Sequence, residues 1–362
     1  MYHRTHPNPE LHEFPMPPEL EGVDFVDLAS RAHDRLAGAA DSIPLERSET
    51  LSYGDNEVYL YRADRFPGGN FKFVSATNTA AELIEAGHTD FTFATAGSYG
   101  IAMAIALKKY GGRGTAITPS NPNQEKREFM EELGVSVKEY GDNFDQADEY
   151  ARQYAAEHGA TNVHPFASRS NLAGTGAIGL ELAERFPGMT DLVLQYGGGS
   201  LFGGVGSVVK ELRPAVRLHA AQVQGCSPFV NALRDGEARP VEDRSSHIMP
   251  SWFARLGGVG VGRTHPFTLG VGSRLADSAD TVTSGSVLAT MYDVQQEHGV
   301  LPELAGAVGA EKARKLARSR NVAGATIVAV LTGNHADDYR QGYLARKSGR
   351  RREEERMPSD MA

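Results

Sequence analysis

Cysteine is nearly absent: Cys226 is the single one in 362 residues. That excludes an intramolecular disulfide framework and fits a reducing compartment, with Cys226 itself read as a small buried hydrophobe. No stretch approaches the ~20 apolar residues of a membrane-spanning helix. Met1 to Phe14 carries His3, Arg4, His6, Glu10 and Glu13 where a secretory signal would have an apolar core. Positive charge is outweighed too, with 37 Lys and Arg against 46 Asp and Glu and a net charge of -9. Such a balance opposes a polyphosphate partner, so no nucleic acid is expected. These absences predict a soluble cytoplasmic protein with no membrane contact. Tryptophan is equally scarce, and Trp252, with Phe253 after Pro250, reads as core or interface packing.

What is present is length and rhythm. A chain of 362 residues is too long for one ordinary core and suits two domains. Short apolar runs alternate with helical patterns. Strands are expected at Glu57 to Tyr61, Phe91 to Ala94, Gly114 to Ile117, Ser136 to Tyr140, Asp191 to Gln195, Arg217 to Gln222 and Thr326 to Leu331. Helices are expected at Val26 to Ala37, Phe73 to Ala86, Tyr99 to Tyr110, Gln124 to Leu133, Phe144 to His158, Gly204 to Leu212, Val287 to His298 and Ala307 to Ser319. This alternation predicts an α/β fold with largely parallel sheets and a site in the cleft between two lobes. The proline-rich start and the run Arg346 to Ala362, rich in charge and poor in apolar residues, read as a wrapping segment and a solvated tail.

Three local patterns carry chemistry. Pro67-Gly68-Gly69-Asn70-Phe71-Lys72 is a tight glycine turn that delivers one lysine to a helix start. The positive end of the helix dipole disfavours the ammonium there, and a free amine forms a Schiff base with an aldehyde. Gln195-Tyr196-Gly197-Gly198-Gly199-Ser200-Leu201 follows an apolar strand and precedes a helix. Consecutive glycines let backbone N–H groups converge into an anion nest, and the spacing is not that of a dinucleotide fingerprint. Val330-Leu331-Thr332-Gly333-Asn334 ends a strand with a hydroxyl able to meet a ring nitrogen. Each also has an ordinary reading: a surface lysine, a flexible turn, a strand exit.

Taken in order, these segments resemble the fold-type II pyridoxal-phosphate enzymes, the tryptophan-synthase-β-like superfamily, over roughly residues 50 to 340. The lysine turn stands where that family has P-T-G-S-F-K, so Lys72 is the implied Schiff-base lysine. Gly197 to Leu201 matches a G-G-G-G-L phosphate loop, with Gly203 and Gly204 close behind, and Thr332 matches the pyridine-nitrogen residue. His164-Pro165-Phe166, Ala173-Gly174-Thr175-Gly176-Ala177-Ile178 and Glu303-Leu304-Ala305-Gly306-Ala307 match dehydratase motifs. The resemblance implies a two-lobed fold with parallel-rich sheets flanked by helices. Its expected parts are an extension at 1–50, a large cofactor-binding domain at 51–80 and 176–345, a small domain at 81–175 and a charged tail at 346–362. Pyridoxal 5'-phosphate as cofactor, a small amino-acid substrate and a homodimer are further implications.

The loop that is S-x-G-N-H or T-G-N-T in the family appears as Thr95-Ala96-Gly97-Ser98-Tyr99, expected to hold the substrate carboxylate. Ser98 replaces the asparagine that meets the cofactor's phenolic oxygen, and Ala96 stands where racemases have a serine base. Gln224 in Val223-Gln224-Gly225-Cys226 replaces a metal-holding glutamate, so no metal is expected. The segment with Leu331-Thr332-Gly333 and Asp337-Asp338 looks more like threonine synthase. Lys126, after Ser120-Asn121-Pro122-Asn123, is either a family lysine or a surface residue, and His335 reads as a turn histidine. With Lys72 as base, the phosphate protonating the leaving hydroxyl and a ring nitrogen met only by a neutral hydroxyl, α,β-elimination from threonine or serine is expected. The product is a 2-oxo acid and ammonia. Two alternatives stand beside it: β- or γ-replacement as in cysteine or threonine synthase, and a binding protein that kept the fold and lost the chemistry.

Overall fold

Runs such as Asp191–Gln195, buried at every position, and Thr326–Val330, buried at all but its first, form strands covered on both faces, as parallel sheets require. The computed structural model describes residues 8, 10–36, 43–241, 261–319 and 323–334. Pro250, Trp252, Phe253, His335, Asp337, Asp338 and the charged tail lie outside them.

In chain order the elements are α1 (Phe25–Leu36), β1 (Leu45–Tyr53), β2 (Asn56–Tyr61), α2 (Lys72–Glu85), β3 (Asp90–Ala94), α3 (Ser98–Tyr110) and β4 (Arg113–Thr118). They continue with α4 (Gln124–Glu132), β5 (Ser136–Glu139), α5 (Phe144–His158), β6 (Thr161–Asn162), α6 (Arg169–Arg185), β7 (Asp191–Gln195) and α7 (Ser200–Leu212). The last are β8 (Arg217–Val223), α8 (Pro228–Asp235), α9 (Pro266–Leu275), β9 (Ser278–Val282), α10 (Ser284–His298), α11 (Leu304–Ala317) and β10 (Thr326–Val330).

Two sheets result. The larger has the order β1-β2-β10-β7-β8-β9, parallel throughout except for the antiparallel β1–β2 pair. The smaller, β5-β4-β3-β6, is entirely parallel. Alternate residues of β10 serve opposite faces of the large sheet: Val328 and Val330 join one buried cluster with Leu192, Leu194 and Phe202. Ile327 and Ala329 join the other with Val193 and the α11 alanines. Because β10 lies between β2 and β7, the chain leaving β10 at Thr332 emerges beside the chain leaving β7 at Gln195. That carboxyl edge is where open α/β sheets bind ligands.

Three of the expected domain limits fall inside unbroken elements. Position 50 falls inside β1, position 80 inside α2 and position 175 inside α6. The N-terminal segment is also more than an appendage. Phe14 N–H donates to Ser273 Oγ at 3.0 Å, Arg274 Nη1 donates to the Phe14 carbonyl at 2.7 Å, and Leu20 packs with Leu172, Phe267 and Val271.

Candidate active site

The lysine turn owes its shape to Gly68 and Gly69, whose φ values of 76° and 72° lie in the left-handed region that only glycine adopts freely. The turn is stitched to the end of β10. Phe71 N–H donates to the Thr332 carbonyl at 2.9 Å, Asn334 N–H donates to the Gly69 carbonyl at 3.1 Å, and Asn70 bridges Gly333. Asn70 locks the turn from within, its Nδ2 donating to Gly68 O and its Oδ1 accepting from Lys72 N–H, both at 2.9 Å.

Lys72 is thereby the first residue of α2, with Nζ 4.7 Å from the Phe71 ring centroid. Burial among protein atoms pulls its pKa below the ordinary lysine value, and the nearby Glu303 carboxylate partly opposes that shift. The sequence pointed to the helix dipole as the cause of a weakened ammonium; the structure adds burial as a cause acting in the same direction.

Thr332 is fully buried. Its Oγ1 accepts from Gln195 Nε2 at 2.7 Å and lies 3.3 Å from Glu303 Oε1. The Glu303 backbone N–H donates to the Gly333 carbonyl at 2.8 Å, so the start of α11 is fastened to the same strand exit. Lys72, Thr332, Gln195 and Glu303 are thus one connected group.

The glycine loop follows Gln195 directly. Helix α7 begins at Ser200, four residues before the expected Gly204, and its cap is Gly199 at φ 93° with no side-chain cap bond. The first amides of α7 thus carry no bond from a capping side chain, the arrangement an anion site at a helix start uses. Gly198 has no room for more: a Cβ there would sit 2.5 and 2.7 Å from the Cδ atoms of Phe166. At Gly199 a Cβ would meet the Tyr196 hydroxyl at 2.6 Å and Thr268 Oγ1 at 2.8 Å. Gly197 is half-buried, while Ser200 and Leu201 are buried, Leu201 in the large core. Gly203 and Gly204 serve packing instead, since Cβ atoms there would strike Leu172 and Thr175 of α6.

The Thr95–Tyr99 loop caps α3. Thr95 Oγ1 accepts from Gly97 N–H at 3.0 Å and from Gly100 N–H at 2.9 Å, and Gly97 takes φ 139°. Ala96 is exposed and Ser98 is half-buried at the first helical position. Tyr99 is placed for packing, edge-on to Phe93 at 6.2 Å in the small-sheet core, where burial pushes its hydroxyl pKa up. Lys126 is no surface lysine: it is buried, and its methylenes lie so close over Gly97 that a Cβ there would collide with them.

Two residues that the sequence named only as parts of longer motifs turn out to have contacts of their own. Gln195 had a signal, a polar residue ending an otherwise apolar strand at the ligand-binding edge. His164 had less: it accepts from Phe166 and Ala167 N–H groups through Nδ1 and lies 5.0 Å from His265. Burial, with the His265 ring and Arg152 adding to it, pushes its pKa down to about 3.

A weakened buried lysine at a helix start, a hydroxyl at the adjoining strand end and an uncapped glycine-lined helix N-terminus define an enzyme site for an aldehyde cofactor carrying a phosphate. The donor set suits the group: an amine for the aldehyde, amides for the phosphate, a hydroxyl for a ring nitrogen. The chain belongs to the family of pyridoxal-phosphate dependent enzymes, whose model matches residues 38–333. It is 29% identical over 283 residues to the L-threonine ammonia-lyase of Thermotoga maritima, covering 78% of this chain and 68% of that one. It is 26% identical over 335 residues to the biosynthetic L-threonine dehydratase of Haemophilus influenzae, covering 91% of this chain and 63% of the relative. The chain therefore spans less than two thirds of that dehydratase. In fold it is similar to a processed threonine deaminase of Solanum lycopersicum, with a TM-score of 0.79, 23% identity and coverage of 96% and 94%. Maize serine racemase is as similar, with a TM-score of 0.79, 20% identity and coverage of 92% and 99%.

Proposed function

We propose that this protein is an ammonia-lyase that removes the β-hydroxyl and the amino group of L-threonine or L-serine, yielding a 2-oxo acid and ammonia. The observation that carries the reading is the fastening of the Lys72 turn to the backbone of Thr332 and Asn334, which brings the lysine-bearing turn to the strand end that carries the hydroxyl. Similarity to threonine dehydratases from several bacteria points to the same reaction.

When bound, pyridoxal phosphate supplies a conjugated ring that spreads the charge left on the α-carbon as its proton departs. Lys72 holds the cofactor and then takes that proton; its burial keeps the amine easier to populate unprotonated. Gly197, Gly198, Gly199, Ser200 and Leu201 would hold the phosphate through the start of α7, and Thr332 would meet the ring nitrogen. The backbone of Thr95, Ala96, Gly97, Ser98 and Tyr99 at the start of α3 would hold the substrate carboxylate, with Ser98 standing at the position that would face the cofactor's phenolic oxygen. Thr332, a neutral hydroxyl and not a carboxylate, would leave the ring nitrogen without a charged partner, an arrangement suited to loss of a β-leaving group.

We read the two sheets as the two lobes and the site as the cleft between them, in a cytoplasmic homodimer. Among the described residues no helix is long and apolar enough to cross a membrane. Sedimentation of the purified protein tests the dimer. Product analysis with L-threonine, L-serine, O-acetylserine and O-phosphohomoserine tests the reaction. A 2-oxo acid with ammonia from the first pair supports it, and turnover of only the second pair sinks it in favour of replacement.

A further inference from the structure

Gln195 is buried at the end of β7, and its amide is turned to Thr332. Its orientation is determined locally. Nε2 lies 2.7 Å from Thr332 Oγ1 and 3.4 Å from the Val330 carbonyl oxygen. Exchanging N and O would set the amide oxygen against that carbonyl, a repulsive contact, so the nitrogen faces both. Oε1 has no partner among the described residues and packs on α11 at Gly309, where a Cβ would come within 2.8 Å of it. A buried carbonyl left unsatisfied is costly. That cost is accepted here together with the loss of a side chain at position 309.

We infer that Gln195 is a positioning residue that makes the Thr332 hydroxyl a hydrogen-bond donor toward the cofactor's ring nitrogen and so keeps that nitrogen unprotonated. The inference rests on the reading of Thr332 as the ring-nitrogen partner. A threonine hydroxyl has one proton and two lone pairs. Gln195 donates to one lone pair, which polarises the O–H bond and strengthens it as a donor. In this structure the hydroxyl donates to Glu303 Oε1 at 3.3 Å, long for an O–H···O bond. A bound ring nitrogen would compete for that proton as the stronger acceptor within reach. A residue that accepted from Thr332 at this place would reverse the polarity, turning a lone pair toward the ring and favouring a protonated nitrogen.

Holoenzyme reconstituted with pyridoxal phosphate labelled at the ring nitrogen tests this by nitrogen NMR. The wild-type signal is expected in the pyridine range. Gln195→Glu, nearly isosteric, is expected to draw the hydroxyl proton to itself and move the signal toward the pyridinium range. Gln195→Met, which removes the donor with little change of volume, gives a second variant, expected to weaken the hydrogen-bond shift without protonating the ring. A pyridinium-like wild type, or a signal unmoved in both variants, overturns the role of Gln195. Thr332→Val separates the two levels: if it too leaves the signal unmoved, Thr332 is not the ring partner and the reading of the site fails. If it moves the signal while the Gln195 variants do not, only the inference fails.

Discussion

Gly198→Ala is expected to weaken cofactor binding while leaving most of the fold intact. The added methyl would lie 2.5 and 2.7 Å from Phe166 Cδ1 and Cδ2, inside any real carbon contact. Phe166 has little freedom to retreat, because its ring is braced by His164 at 4.4 Å, Phe144 at 6.1 Å and His265 at 6.2 Å between centroids. Either the ring or the glycine loop must shift, and overpacking of this kind costs about 1–3 kcal/mol. Charged to the loop that holds the phosphate, that is a loss of affinity of roughly 5- to 150-fold. Titration of apoprotein with pyridoxal phosphate, followed by absorbance, reads it. Gly188→Ala and Gly285→Ala, where a Cβ meets nothing within 4 Å, serve as controls and are expected to bind normally. Trimming the obstacle in Gly198→Ala/Phe166→Leu is expected to restore much of the affinity. Unchanged binding in the single variant, or no recovery in the double, refutes the steric reasoning.

Gly270→Ala places a methyl against the Pro15 carbonyl and 3.0 Å from Pro17 Cδ, and is expected to cost a net of about 1–2 kcal/mol despite better helix propensity. Urea denaturation measures that loss, and faster proteolysis at the N-terminus locates it. Lys72→Met is expected to stabilise the apoprotein at neutral pH. With the Lys72 pKa lowered in the fold, the unfolded chain binds the extra proton, so wild-type stability rises with pH from that lowered pKa up to the ordinary lysine value. The variant should lose that rise when unfolding is followed from neutral to alkaline pH. His164→Asn is expected to flatten the acid limb between about pH 6.5 and pH 3, because a histidine held at about 3 must take up a proton to unfold in that range. Each pKa unit removed is worth about 1.4 kcal/mol at most, read from urea midpoints across that range.

The alternation of apolar runs and helical periods made most strands and helices legible, since both periods are local properties of sequence. Helix α6 was not, because Asn171 to Gly179 is dense in glycine and alanine and lacks an apolar stripe; it is helical because those small residues let it pack tightly on α2 and α7. Strand β1, Leu45–Tyr53, was hidden by its charged edge sequence, and pairing with β2 is what makes it a strand. The positions of Lys72 and the glycine loop were visible because backbone geometry demands glycine there. Their mutual contact through Thr332 was not, because it depends on β10 entering the sheet beside β7, some 135 residues away in sequence. The state of Lys126 was likewise invisible: burial over Gly97 is a tertiary fact, and a lysine in the first turn of a helix reads the same whether it faces water or a neighbouring loop.

The central claim is that Lys72 carries the cofactor. Borohydride reduction of the purified holoenzyme, followed by peptide mass mapping, should place the reduced cofactor on the peptide containing Lys72, with the label lost in Lys72→Ala. A label on another lysine, Lys126 included, or no covalent label in a cofactor-saturated sample would contradict it.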